Sequence, residues 1–136
     1  MDFLKTIAVA ASGLKAQTGR MRIIAENIAN ADSTGDRPGA DPYRRKTATF
    51  TRRFDRELEA SIVALGRVRP DATPFKTRLD AGHQAADAAG EVKLPNVNPL
   101  LETTDLREAQ RSYEANLNLV TATRRMVART IDILRA

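Results

Sequence analysis

The sequence predicts a mainly α-helical chain, with N- and C-terminal helices forming an antiparallel, coiled-coil-like hairpin around a small β-containing insert. Three observations predict it. Apolar residues recur at heptad spacing at both ends of the chain. All six prolines and five of the seven glycines fall between them, in residues 31–100. The stock of large core side chains is thin: 22 of the 136 residues are alanine, aromatics are 4% and there is no tryptophan. A chain so composed completes its core against other subunits.

The first helix is predicted from Phe3, Ile7, Ala10, Leu14, Gln17, Met21, Ile24 and Ile28, spaced alternately by 4 and 3 residues. That spacing keeps one narrow stripe facing a partner helix, and Gln17, its one polar member, is placed to set register. Asp2 offers an N-cap. The run Thr6–Leu14 contains Ala8-Val9-Ala10, which looks like a cleavage tripeptide. It is short, flanked by Lys5 and Lys15, and its periodicity continues past the supposed cut, so no cleaved leader is expected. No segment has the length of apolar residues that a membrane span requires.

The helix runs into Asn27-Ile28-Ala29-Asn30 and then into the turn-rich "ADSTGDRPGADPY". Beyond it, "RKTATFTRRF" alternates around Ala48 and Phe50 as a strand does, and "ASIVALGRVR" fits a second strand or a short helix. "LDAGHQAADAAGE" reads as a flexible loop. A short β-hairpin with loops is the expected content of the middle.

The last element is predicted from Leu106, Gln110, Tyr113, Leu117, Val120, Arg124, Val127, Ile131 and Leu134, again at 4/3 spacing, with a second stripe of Leu119, Met126 and Ile133 at intervals of seven. Two stripes make a face wider than one partner helix covers, which calls for several neighbours. Asn98-Pro99 supplies a cap and a first-turn proline, with Thr104 as an alternative start. The expected division is 1–31 as the N-terminal helix, 32–97 as the loop and β-hairpin insert, and 98–136 as the C-terminal helix, the two termini pairing into one domain.

Catalysis is not expected. His83, the one histidine, stands among small residues beside Asp80 and Asp87, and the glycines show no phosphate-loop or nucleophile-elbow spacing. No cofactor or metal is expected either, and the absence of cysteine excludes disulfides and thiolate metal sites. The excess of 22 Lys and Arg over 17 Asp and Glu is spread along the chain. The densest basic run, "YRRKTATFTRRFDR" (43–56), interleaves Tyr43, Phe50 and Phe54 with six cations. A basic coiled-coil adaptor or a single-strand nucleic-acid binder would carry such a run, and so would a solvated strand face or one paired with an acidic protein.

Ser12-Gly13-Leu14, Gln17, Asn27-Ile28-Ala29-Asn30 and Ser33-Thr34-Gly35 together resemble the N-terminal signature of flagellar axial proteins, the rod, hook and hook-associated group. Pro95-Asn96-Val97-Asn98 followed by Arg111-Ser112-Tyr113-Glu114-Ala115-Asn116, with Pro42–Lys46 and residues 71–83 between, is similar to the proximal-rod type of that group. The alanine-rich Gln84–Ala89 and the stretch Asp36–Asp41 depart from the pattern.

The resemblance implies a structural subunit of the bacterial flagellar basal-body rod, assembled in the periplasm and passed out uncleaved by the type III export apparatus. Its partners would be copies of itself in a helical array and other rod proteins, with no nucleic acid. The terminal helices would line the inner tube, a stiff polymer that transmits torque and encloses an export channel. On the first helix the assembly contacts would be Leu14, Gln17, Met21, Ile24, Asn27, Ile28 and Asn30. On the second they would be Tyr113, Asn116, Leu117, Val120, Met126, Val127 and Leu134. Asn27 and Asn30 would bond to adjacent helix ends, or Asn30 would simply cap its own helix.

Overall fold

A computed structural model of the chain describes residues 2–135. Helix α1 (Phe3–Ala29) comes first and α2 (Pro99–Arg135) last. Between them lie β1 (Lys46–Thr47), β2 (Phe50–Asp55), β3 (Ala60–Leu65), β4 (Arg69–Pro70), β5 (Lys76–Leu79) and β6 (Glu91–Leu94). The strands pair antiparallel in twos, β1 with β4, β2 with β3 and β5 with β6. The chain is therefore mainly helical, with a small antiparallel insert between its N- and C-terminal helices.

Short-range chemistry sets the helix starts. Asp2 Oδ1 accepts from the N–H groups of Leu4 and Lys5 at 3.1 and 3.2 Å, satisfying two of the donors that a helix N-terminus leaves free. At α2 the cap is Asn98, whose Oδ1 accepts from Leu100 N–H at 3.1 Å. Pro99 then occupies the first helical position, where its missing donor costs nothing. Thr104 lies inside the helix, so the alternative start is not used. At the end of α1, Asn30 closes the helix through its side chain, donating Nδ2 to the Glu26 carbonyl at 2.8 Å.

The described residues divide into two compact units. The first comprises residues 2–21, 49–67 and 107–135. Here the β2–β3 hairpin is held to α1 by Ser12, whose Oγ accepts from Val63 N–H at 3.1 Å and donates to the Val9 carbonyl at 2.6 Å. Ala10, Ala16, Ile62, Ala109 and Thr123 are buried. Two glycines interrupt the helical propensity of α1 for a packing reason. A Cβ on Gly13 would come within 2.8 Å of the Asn116 amide, and one on Gly19 within 2.8 Å of Leu65 Cδ2. Close approach offsets the roughly 1 kcal/mol that glycine costs in a helix interior.

The hairpin turn is capped by Asp55, whose Oδ1 accepts from the N–H groups of Glu57 and Leu58. It closes on Glu59 at φ +48°, the one non-glycine among the described residues with a left-handed backbone. That conformation costs a residue with a Cβ about 1–2 kcal/mol, and an exposed ion pair such as Lys5–Glu59 (3.5 Å) returns little of it. Glu59→Gly is therefore expected to raise stability by about 0.5–1 kcal/mol, read as a higher urea midpoint at unchanged slope.

The second unit comprises residues 22–48 and 68–106, with Ile24, Ala85, Val92 and Val97 at its core. Lys46 pairs with Pro70 across β1–β4, and Asp71 N–H bonds the Arg45 carbonyl next to it at 2.8 Å. Alternation then makes 46↔70 a pair without ladder bonds, so the proline's missing N–H is not needed there. The residues 80–90, expected to be flexible, form hydrogen-bonded turns instead. Asp87 Oδ1 accepts from Ala89 and Glu91 N–H, His83 Nδ1 from Ala85 N–H, and the Ala85 carbonyl from Gly39 N–H.

"ASIVAL" is β3, a strand rather than a helix, and "RKTATFTRRF" divides into β1 and β2 with a break at Ala48-Thr49.

Candidate assembly surfaces

In the second unit the end of α1 carries a polar cluster built around Asn27, which is 1% exposed. Its Oδ1 accepts from Lys46 N–H (2.9 Å) and from Tyr43 Oη (2.8 Å). Its Nδ2 donates to the Lys46 carbonyl (2.9 Å) and to Glu102 Oε2 (3.1 Å). All four hydrogen-bonding positions of the amide are filled. Because Lys46 faces Pro70 without ladder bonds, its N–H and C=O point the other way, and the Asn27 amide completes β1 as a neighbouring strand would.

Glu102, also 1% exposed, takes a donor on each oxygen, Asn27 Nδ2 on Oε2 and Arg45 Nε on Oε1. An ionised carboxylate is the side chain with two acceptors in that geometry. Arg45 reaches on to Asp71 Oδ2 at 3.1 Å, and its backbone N–H is held by Asn96 Oδ1 at 2.8 Å. Burial alone would weaken the Arg45 cation, but its hydrogen bonds to Glu102 and Asp71 win and raise its pKa. The Asp71 carboxyl is held below its ordinary 3.8, first by the Thr73 hydroxyl and backbone N–H and then by Arg45.

These bonds change the reading of two sequence features. Asn27 was expected to reach adjacent helix ends, but its amide is saturated inside the chain. Asn30 caps its own helix. The basic run 43–56 is also half internal. Arg44 donates to the Asp71 and Thr73 carbonyls and lies 4.0 Å from the Phe75 ring centroid, Arg45 serves Glu102, and Lys46 pairs with Glu26. Of its six cations, Arg52, Arg53 and Arg56 make neither an ion pair nor a cation–π contact among the described residues, and Arg44 makes no ion pair either.

In the first unit the surprise is the face that α2 covers. The expected seam ran through Tyr113, Leu117, Val120, Arg124, Val127, Ile131 and Leu134. Tyr113, Val120 and Val127 of that seam are covered, joined by Ala109, Ser112, Asn116 and Thr123 beside it, while Leu117, Arg124, Ile131 and Leu134 are exposed. Small side chains admit close approach, as between Gly13 and Asn116, and Leu117, Ile131 and Leu134 of the seam are left exposed. Leu117, Leu119, Met126, Ile131, Ile133 and Leu134 form an exposed apolar set, with Leu134 81% exposed. Near the start of α1, Phe3, Leu4 and Ile7 meet Val127, Ala128 and Ile131 around an open groove of about 820 Å3. Of the remaining expected contacts, Leu14, Gln17, Met21 and Ile28 are partly covered and Ile24 is buried. Gln17 Oε1 is the one buried side-chain polar atom among the described residues without a partner.

Residues 7–35 match the family model described as flagella basal body rod protein. Residues 88–133 match that of the flagellar basal body rod FlgEFG protein C-terminal. Over 128 residues the chain is 52% identical to the flagellar basal-body rod protein FlgC of Agrobacterium fabrum, covering 94% of this chain and 92% of that protein. The chain belongs to the FlgC family of flagellar basal-body rod proteins. Similarity extends to the FlgC of Escherichia coli O157:H7, 34% identical over 98% of each chain, and of Aquifex aeolicus, 33% identical over 97% of each. As a FlgC-family member it is a structural protein of the flagellar basal-body rod, not an enzyme. No helix among the described residues is long and apolar enough to cross a membrane.

Glu102 and Asp71 did not emerge from the sequence as site residues, while Tyr43 and Arg45 stood out only as members of the basic run and Asn96 only within the family motif. The signal was available in "PYRRK", where two arginines follow a buried proline, and in an acidic residue four positions after the α2 cap.

Proposed function

We propose that this FlgC-family chain is a proximal-rod subunit that polymerises helically, with residues 1–31 and 98–136 pairing antiparallel into an inner-tube domain and 32–97 lying outside it. Copies of the chain and other rod proteins cover the exposed apolar residues of α2, and the finished polymer transmits torque and encloses the export channel. The subunit passes through the type III export apparatus uncleaved and assembles in the periplasm. Leu14, Gln17, Met21, Ile28, Leu117, Met126, Val127 and Leu134 are the contacts between subunits. The supporting observation is the set of large apolar side chains left exposed along both flanks of the covered stripe of α2, Leu119, Met126 and Ile133 on one and Leu117 and Ile131 on the other, because exposed apolar surface of this kind marks an interaction site. The antiparallel pairing draws support within the first unit, where Phe3 and Ile7 lie by Val127 and Ile131 while Gly13 lies against Asn116.

Electron microscopy of basal bodies from a strain lacking the protein tests this. Rings without a rod, in non-motile cells rescued by the intact chain, are the expected result. Normal rods and normal swimming would refute it.

A further inference from the structure

The β2–β3 hairpin has one edge in use and one open. Thr49 accepts from Gly66 N–H at 2.6 Å, and the register pairs Phe50 with Leu65 through to Asp55 with Ala60. Ladder bonds therefore fall at 51↔64, 53↔62 and 55↔60, and the intervening residues direct their backbone groups outward. On β3 one of these, Val63 N–H, is taken by Ser12 Oγ. On β2 the outward N–H and C=O groups of Phe50, Arg52 and Phe54 appear in no hydrogen bond outside the ladder among the described residues. Every β2 residue except Asp55 is exposed, and Phe54 is 61% exposed.

A free edge is a template for another strand, and proteins that guard one keep it short, or cover it with charge and few apolar groups. This edge has six residues, and its outer face carries Phe50, Phe54 and the cross-strand Val63, all exposed. Charge selects what pairs with it. If a second copy of β2 lay antiparallel about Arg52, Arg52 would face Arg52, a destabilising like-charge pair. Arg52, Arg53 and the adjacent Arg56 have no ion-pair partners among the described residues.

We propose that β2 is a docking edge for an extended partner segment in which acidic and apolar side chains alternate, added as a third strand. Main-chain bonds to Phe50, Arg52 and Phe54 supply affinity; the segment's apolar side chains lie on the face of Phe50, Phe54 and Val63, and its acidic ones on the opposite face beside Arg53, where they supply selectivity. The inference does not depend on the rod reading, and it concerns the edge of β2 rather than α2.

The test uses the full chain, isotope-labelled, with a synthetic peptide Glu-Val-Glu-Ile-Glu-Thr and a control of the same charge with prolines at alternate positions. At about ten times Kd of the first peptide, amide exchange at Phe50, Arg52 and Phe54 should slow about tenfold. The proline control should do nothing, and R52E/R53E should abolish the effect while the Thr51 and Arg53-position ladder amides stay protected. Equal binding of both peptides means charge attraction alone and overturns the proposal. So does an absence of protection at these three amides, or tighter binding of a single-stranded oligonucleotide than of the peptide.

Discussion

Arg45→Ala is expected to cost about 3–5 kcal/mol, the range for stripping one partner from a buried ion pair. The reason is the asymmetry of the contact. Glu102 is sealed at 1% exposure, and without the guanidinium its Oε1 keeps no donor in the structure. Arg45→Lys should recover little, because a single ammonium cannot span from Glu102 to Asp71 as the planar fork does. Glu102→Gln is no gentle control: it sets an N–H against Arg45 Nε or Asn27 Nδ2, donor against donor. Urea denaturation of the full chain measures all three. A loss below about 1 kcal/mol for Arg45→Ala would place the carboxylate in water and remove the case for a buried pair. Acid should weaken the same cluster. The Asp71 pKa is lowered on folding, so its stabilisation is fully present above the ordinary value of 3.8 and is lost as pH falls through the lowered folded value.

Met126→Asp should behave in the opposite way, leaving the isolated chain nearly unchanged and abolishing swimming. Met126 is exposed, so within the chain the substitution costs only helix propensity, under about 1 kcal/mol. In a polymer the same carboxylate would be buried against an apolar neighbour without a partner, which costs several kcal/mol per interface and repeats at every subunit. Soft-agar motility and basal-body microscopy provide the readout, with circular dichroism of the purified chain as the check on folding. Swimming at the wild-type rate would show that this side of α2 meets no subunit.

The elements that were legible in the sequence rest on neighbouring residues. Asp2 and Asn98-Pro99 mark helix starts because caps act over two or three positions. The 4/3 recurrence of apolar residues marks the helices themselves. Two-residue alternation located β2, and the prolines, glycines and polar turns placed the insert between the helices. The motifs around Asn27–Asn30 and Arg111–Asn116 pointed to the right family, which full-length similarity then showed.

What stayed hidden was which side of each pattern the chain keeps for itself. On α2 a periodicity of apolar residues looks the same whether it meets the chain's own α1 or another molecule. Ala109, Ser112, Asn116 and Thr123 won the internal contact because small side chains let α2 approach α1, notably where Gly13 leaves room for the Asn116 amide. The basic run could not be sorted either, since its partners lie far along the chain: Arg45 and Glu102 are 57 residues apart, and Asn27 and Glu102 are 75 apart. Sequence by itself determined two capped helices, a β insert and rod-family membership, all carried by local pattern. Only the tertiary structure decided that Asn27 is an internal strand partner, that Glu102 is buried against Arg45 and Asn27, and that Leu117, Leu119, Met126, Ile131 and Ile133 are left exposed on α2, because those outcomes depend on long-range distances.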